Sequence, residues 1–195
     1  MSGHDVSGHH GDISGHGDVS VRPAAPEDAA VVTGIQLRAW RAHHGDALGP
    51  DLLTSLDVEA IREQWARAIT APPSAAHRVL VACDGPRVVG FAAAVPSGPA
   101  PNDPAPGAPA PGSEVLALEV DPEHQRRGHG SRLLTACVDL ARADGAVHLS
   151  TWVLQGDSAR EQFLTACGLG ADGARRDLGT DAAAPVSEYR WVAEI

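Results

Sequence analysis

The chain has 195 residues, of which 43% are hydrophobic and 4% aromatic, and its formal net charge is −10. This length suffices to bury the core of one ordinary domain. The negative charge argues against nucleic-acid binding, which relies on Lys and Arg to neutralise phosphates, and it favours cationic small molecules or basic peptides as partners.

The cysteines and the apolar runs indicate the compartment. Cys83, Cys137 and Cys167 are odd in number, far apart and without C-x-x-C spacing, which predicts neither a disulfide framework nor a zinc site. No apolar run is long enough to cross a bilayer, and the N-terminus lacks the features of a secretory signal. We therefore expect a cytoplasmic protein with reduced thiols and no membrane partner.

Residues 1–18 repeat one unit imperfectly, as SGHDV, SGHHGDI and SGHGDV. These residue types cannot bury enough apolar surface to offset the cost of backbone ordering, so we predict a disordered tail. Its clustered histidines and aspartates leave two interpretations open, a solvated tail with adventitious metal affinity or a metal-binding segment. The folded domain is predicted to span residues 19–195.

The first elements of the domain are a strand and two helices. Val19 to Arg22 alternates like a short strand, and Pro26 and Glu27 mark the start of a helix that we expect to end near His43. The segment DVEAIREQWARAIT carries apolar residues at helical spacing and predicts a second helix.

The period then changes to that of β-strands. HRVLVACDGPRVVGFAAAVP predicts two strands joined by a hairpin turn at Asp84-Gly85. Residues 96–112 contain seven prolines among seventeen residues, the others mostly Ala and Gly, which predicts an extended surface loop.

The remaining elements alternate strand and helix. SEVLALEVD predicts a strand, followed by a Gly-rich turn and a helix from about Gly128 to Ala143. VHLSTWVL predicts a strand, DSAREQFLTACG a helix, and ADGARRDL and APVSEYRWVAEI two closing strands. The predicted order is β-α-α-β-β-β-α-β-α-β-β.

The turn QRRGHG admits three interpretations: a phosphate cradle, a nucleic-acid contact or an ordinary solvated turn. Gly128 and Gly130 allow backbone N–H groups to point into a common concavity, and the following helix adds its positive N-terminal end. Three nearby arginines add formal charge. These features suit a pyrophosphate, although a Gly-rich turn between a strand and a helix is weak evidence by itself.

Two stretches resemble one known family. VDPEHQRRGHGSRLL is similar to the acetyl-CoA signature of the GCN5-related N-acetyltransferases (GNAT), whose pattern is Arg/Gln-x-x-Gly-x-Gly/Ala. WVLQGDSAREQFLTACGLGADG resembles the family's loop with Asn, helix with Phe-Tyr, and Gly-Phe. The resemblance implies an α/β (α+β) fold, with a mixed, splayed sheet of about seven strands flanked by about four helices.

The resemblance also implies an activity and a coenzyme. The expected reaction moves an acetyl group from acetyl-CoA to an amine by direct attack in a ternary complex. The expected coenzyme-binding residues are Leu118, Glu119, Val120, Gln125, Arg126, Arg127, Gly128, His129, Gly130, Ser131 and Asp157. Main-chain groups do most of this binding, so we interpret the side chain of His129 as solvated. The expected acceptor is a small cationic amine or a basic peptide, and a homodimer remains open.

Two glutamates are candidates for the general base that deprotonates the amine. Glu119 lies within an apolar strand, and Glu114 matches the catalytic glutamate of the histone-acetylating branch. Strand alternation puts the two on opposite faces unless a bulge intervenes. Trp40, His43 and Trp152 are expected to line the acceptor pocket.

Two positions depart from the family pattern. Asp157 replaces the usual Asn, and Leu164 replaces a tyrosine that often protonates the departing thiolate. These departures motivate a rival hypothesis, a catalytically degenerate domain that binds acyl-CoA as a sensor or interaction module.

Overall fold

The computed structural model describes residues 19–43, 55–98, 110–178 and 186–195, so the predicted tail lies outside the described residues. The strands are β1 (Val19–Pro23), β2 (Arg78–Asp84), β3 (Arg87–Ser97), β4 (Gly112–Val120), β5 (His148–Leu154), β6 (Gly170–Leu178) and β7 (Val186–Glu194). The helices described are α1 (Ala29–His43), α2 (Val58–Thr70), α3 (His129–Ala143) and α4 (Ser158–Ala166). The predicted order of elements and the predicted fold class are confirmed.

The seven strands form one sheet in the order β1-β2-β3-β4-β5-β7-β6. Every neighbouring pair is antiparallel except β4 and β5, which are parallel. That parallel pair extends only from Gly112–His148 to Val115–Thr151. Beyond Val115 the two strands separate, so the sheet is splayed at its centre as expected.

Helices cover both faces of the first half of the sheet. On one face, Val32 and Ile35 of α1 pack with Phe91 of β3, and Trp65 of α2 meets Phe91 edge to face with ring centroids 5.0 Å apart. On the other face, Leu133 of α3 and Leu164 of α4 belong to the larger core cluster. None of the helices described here combines the length and the apolar character that crossing a membrane requires.

The strands β3 and β4 extend into the loop that is predicted over residues 96–112. Pro96 pairs with Ser113 and Ser97 with Gly112, so strand pairing continues into both ends of the predicted loop. A proline is tolerated there because it lies near the end of its strand, where fewer ladder hydrogen bonds are lost. Residues 99–109 lie outside the described residues.

Two ion pairs hold α1 in place. Arg22 of β1 donates to both carboxylate oxygens of the buried Asp28, at 2.6 and 3.0 Å, and this holds the pKa of Asp28 below its usual value. Arg38 of α1 donates to Oδ2 of Asp121, which directly follows β4. The second pair connects the first helix to the turn that the sequence singled out.

Candidate functional site

Strand β4 contains a β-bulge near its middle. Val115 pairs with Ala94 and Ala117 with Ala93, so Leu116 has no counterpart on β3. Leu116 is 60% exposed, whereas Val115 is buried. The bulge coincides with the last pair between β4 and β5. It divides the strand into a closed half (Gly112–Val115), paired on both edges, and an open half (Leu116–Val120), paired with β3 alone.

The bulge brings the two candidate bases to one face of the sheet. Glu114 lies opposite Val95 and Glu119 opposite Phe91, and these partners are four residues apart along β3. Cross-strand partners share a face, and residues four apart in a regular strand do so too. Both glutamates therefore lie on the face that carries Phe91, which is the face covered by α1 and α2.

The two carboxylates have different surroundings. Glu119 is 9% exposed, and its Oε1 accepts a hydrogen bond from Nη2 of Arg160 at 2.8 Å. Glu114 is half-buried beside Ser150 of β5 and takes no part in the ion pairs and side-chain hydrogen bonds of the described residues. Of the two carboxylates, only that of Glu119 is engaged in an ion pair among the described residues.

A cavity of about 410 Å³ lies between the open half of β4, the turn before α3 and the start of α4. Its lining includes every predicted coenzyme-binding residue except Arg127, and it also includes Ala159, Arg160 and Phe163 of α4. The predicted residues in the lining are Leu118, Glu119, Val120, Gln125, Arg126, Gly128, His129, Gly130, Ser131 and Asp157. Arg127 instead lies 3.9 Å from the carboxylate of Asp84. We call this space the β4–α3 cavity.

The turn at one end of the cavity has an unusual backbone. Arg126 and Gly128 both adopt left-handed conformations, with φ of 62° and 81°. Such alternation turns successive N–H groups towards one concave side. Gly128 is also the N-cap of α3, whose first N–H groups have no acceptor within the helix. A Cβ at Gly128 would lie 2.7 Å from Nη1 of Arg132. This backbone conformation and the unpaired N–H groups at the start of α3 are features that suit an anion.

The interpretation of His129 as a solvated residue is wrong. Its side chain is 2% exposed, and neither ring nitrogen has a hydrogen-bond partner in the structure. As the first residue of α3, it directs its ring into the protein rather than into the turn's solvent face. Burial lowers the pKa of His129, so the ring is neutral at pH 7 and contributes no formal charge to the cavity.

The two departures from the family pattern have clear structural roles. Asp157 is the N-cap of α4, and its Oδ1 accepts from the backbone N–H of Arg160 at 3.0 Å. Leu164 is 2% exposed within the core. Tyr189, the only tyrosine in the chain, pairs with Val153 of β5 and does not line the β4–α3 cavity. No tyrosine hydroxyl therefore lines this cavity.

Of the residues predicted for an acceptor pocket, Trp40 and Trp152 are not among the described residues that line the β4–α3 cavity. Trp40 is half-buried near the end of α1, and His43 ends that helix with a side chain that is not described. Trp152 shares a face with Glu114, because Ser150 pairs with Glu114 and Trp152 follows two residues later. The guanidinium carbon of Arg176 lies 4.3 Å from the centroid of the Trp152 ring, a cation–π contact.

Sequence reasoning missed Arg160, Phe163 and Leu116. Nη1 of Arg160 donates to the backbone oxygen of Leu118 at 2.6 Å, in the middle of the cavity. Arg160 and Phe163 follow Asp157 at three-residue intervals, a helical spacing that could have placed both beside that predicted residue. No sequence signal indicates that the bulge falls at Leu116.

Comparison with known proteins gives consistent results. Residues 37–169 match the family described as Acetyltransferase (GNAT) family. The PaiA N-acetyltransferase of Thermoplasma acidophilum, solved in complex with coenzyme A, is 16% identical with a TM-score of 0.71, over 91% of this chain and 99% of its own. Ribosomal-protein-alanine N-acetyltransferase from Brucella melitensis is 21% identical with a TM-score of 0.64, over 90% and 99%. YncA from Salmonella typhimurium, solved with its cofactor acetyl-CoA, is 19% identical with a TM-score of 0.60, over 90% and 93%. A search of curated sequences gave no significant match.

Proposed function

The chain belongs to the GNAT acetyltransferase family, and we propose that it transfers an acetyl group from acetyl-CoA to an amine. The observation that carries this proposal is the β4–α3 cavity, which joins an open strand edge to a left-handed turn at a helix N-terminus. The two features suit the two chemically different parts of the coenzyme, its amide-bearing arm and its pyrophosphate.

The residues of the cavity fit the coenzyme. The N–H groups around Gly128 and Gly130 would hold the pyrophosphate, and the backbone of Leu118 and Val120 would pair with the arm as a missing strand does. A side chain at Gly128 would be strained at φ of 81°, and its Cβ would displace the guanidinium of Arg132. Acetyl-CoA supplies the acetyl thioester, and the protein's part is to hold it beside an amine.

We propose Glu114 as the general base. An alkylamine with a pKa near 10 is mostly protonated at pH 7 and cannot attack until it loses a proton. Glu114 has no partner among the described residues, and it lies next to the point where β4 and β5 separate. Glu119 is the weaker candidate, because Arg160 already occupies its carboxylate.

We propose that the amine attacks directly, with no acyl-enzyme intermediate. Burial raises the pKa of Cys137 to about 12, so its thiol is not a nucleophile at neutral pH. Glu114 first takes one proton from the ammonium group, and the neutral amine then attacks the acetyl carbon, which exchanges its bond to sulfur for one to nitrogen. The second proton that the nitrogen gives up passes through solvent to the departing thiolate. Leu164 cannot protonate the departing thiolate, but a thiol of pKa near 8.5 needs little assistance from an acid.

The proposed acceptor is a small cationic amine or a basic peptide in the cytoplasm. The support is the net charge of −10, which attracts cations to the protein surface.

Acetyl transfer is tested by incubating the protein with acetyl-CoA and a panel of polyamines, aminoglycosides and basic peptides, and measuring CoA release. We expect release with at least one cationic acceptor. Glu114→Gln should then lower kcat about 100-fold, the usual contribution of a general base, and leave the Kd for CoA within about twofold. Glu63→Gln, an exposed change on α2, is the matched control.

The buried Leu164 favours a second candidate function, acyl-CoA binding without transfer. That function predicts saturable acetyl-CoA binding with CoA release at background for every acceptor. Glu114→Gln would then change neither binding nor release, which distinguishes the two proposals.

A further inference from the structure

Arg160 bridges the gap where β4 and β5 separate. It belongs to α4, on the opposite side of the sheet from α1 and α2, and its guanidinium makes two contacts with β4. Nη1 donates to the backbone oxygen of Leu118 at 2.6 Å, and Nη2 to Oε1 of Glu119 at 2.8 Å. The side chains of Arg160 and Glu119 are 23% and 11% exposed. The bridge is therefore largely shielded from water.

Each partner in this bridge has a reason to be there. The oxygen of Leu118 lies on the open edge of β4, where no strand of the described residues pairs with it, and a buried carbonyl without a donor is costly. A lone carboxylate at Glu119 would be unfavourable in so buried a place, and it would also repel an anionic ligand. Arg160 satisfies both groups at once.

The backbone carbonyl of Leu118, which accepts from Arg160, is also the group that a coenzyme arm would use. A coenzyme arm that adds to the open half of β4 as a strand needs the backbone oxygen of Leu118 as an acceptor. Arg160 and the arm would therefore compete for the edge of the strand at this point. Glu119, in contrast, meets Arg160 through its side chain and not through the edge, so that contact does not obstruct the arm.

We propose that Arg160 is a displaceable plug of the coenzyme-arm groove, held in place by Glu119. The proposal rests on the proposed coenzyme binding. Binding of the arm exchanges the hydrogen bond from Arg160 to Leu118 for one from the arm. Glu119 is the anchor that holds the guanidinium against Leu118 before the arm binds, which accounts for a buried acid beside a site for an anion.

The test compares two ligands that differ in the arm. Calorimetry measures the Kd of CoA and of 3′-phospho-ADP, which carries the phosphates without the arm, for the wild type and Arg160→Met. Methionine keeps the length of the side chain but cannot donate a hydrogen bond. We expect the ratio of the 3′-phospho-ADP Kd to the CoA Kd to rise about tenfold, because one charge-assisted hydrogen bond no longer competes with the arm.

Three further variants make the result specific. Arg142→Met removes the same charge at the exposed far end of α3 and should leave the ratio unchanged. Glu119→Gln should raise the ratio about threefold, since it releases the anchor but leaves the bond to Leu118. In the double variant Arg160→Met with Glu119→Gln, the ratio should be no higher than in Arg160→Met alone, because both changes act on one contact.

The possible results distinguish failure of the Arg160 plug from failure of coenzyme binding. A ratio that stays constant or falls in Arg160→Met, with CoA still bound, overturns the plug and makes Arg160 a ligand of the coenzyme or a neutral bystander. Additive effects of the two substitutions overturn the role of Glu119 as the anchor. A wild-type protein that binds neither ligand overturns coenzyme binding itself.

Discussion

The two halves of β4 both pair with β3, but they differ in whether the other edge of the strand is paired. The closed half is paired on both edges, and its Val115 is buried in the core. The open half begins at the exposed Leu116 and has a free edge that Arg160 covers at Leu118. The strand is structural where pairing is complete and is available to a ligand where pairing stops.

A binding site within a regular sheet is expected where the pairing of a central strand is interrupted. A strand edge inside a sheet is normally saturated, so an unpaired stretch at its centre costs free energy unless a side chain or ligand satisfies it. Here the unpaired stretch adjoins the left-handed turn at Gly128. The two features together, and neither alone, define the site.

Replacing Gly128 should have the largest effect, because it removes the cradle at the end of the open half. In Gly128→Glu a side chain is forced into a backbone with φ of 81° and towards Arg132, and its carboxylate repels the coenzyme phosphates. We expect the Kd of CoA to rise at least about 100-fold by calorimetry. Gly145→Glu, with φ of 85° at the other end of α3, carries similar strain and should change that Kd less than about twofold. Equal losses in both would show that strain, not the cradle, is responsible.

Substitutions of the neighbouring residues Val115 and Leu116 test whether the closed and open halves of β4 differ in their contribution to stability. Val115→Ala opens a cavity in the core and should lower the free energy of unfolding by about 2 kcal/mol, with the Kd of CoA unchanged. Leu116→Ala removes an exposed side chain and should change stability by less than about 0.5 kcal/mol. Urea unfolding measures the stability of both variants and calorimetry their Kd for CoA, and equal destabilisation would mean that the two halves do not differ.

The smallest expected effect concerns His129, which lies buried beneath the open half. His129→Leu replaces two unpartnered ring nitrogens with an apolar side chain and should stabilise the protein by about 1 kcal/mol at pH 7. The measurement is urea unfolding at pH 7 and pH 5.5, with His77→Leu, in the loop before β2, as the control. A variant less stable than the wild type at pH 7 would show that the ring has a partner.

The pH dependence of this effect has a definite sign. Burial lowers the pKa of His129 in the folded protein, while the unfolded chain retains a value near 6.5. As the pH falls from 7 through 6.5 towards the folded pKa, the unfolded state binds a proton that the folded state refuses, so the wild type loses stability. The difference in free energy of unfolding between His129→Leu and the wild type should therefore increase as the pH is lowered from 7 to 5.5.

Local chemistry made much of this architecture predictable. The change from helical to alternating period located β2 and β3, and the glycines of QRRGHG located the turn before α3. The cap that Asp157 forms on α4 depends only on residues within one helical turn. Each of these features is determined over a few residues, where sequence patterns are informative.

Features that depend on distant partners were not predictable. Alternation alone puts Glu114 and Glu119 on opposite faces, and only the bulge opposite Ala93 and Ala94 reverses this. The contact of Arg160 with Leu118 spans 42 residues and exists because β4 and β5 separate. The buried ring of His129 depends on how α3 packs against the sheet. None of these has a local sequence signal.

The four residue pairs that join β4 to β5 also have a mechanical meaning. Among the described residues they are the only backbone pairing between two parts of the sheet, β1–β4 on one side and β5, β7 and β6 on the other. The core cluster that contains Val115, Leu133 and Leu149 supplies the rest of the connection. An extended ligand laid along the open half would add backbone pairing to this short junction and so stiffen the sheet at its centre.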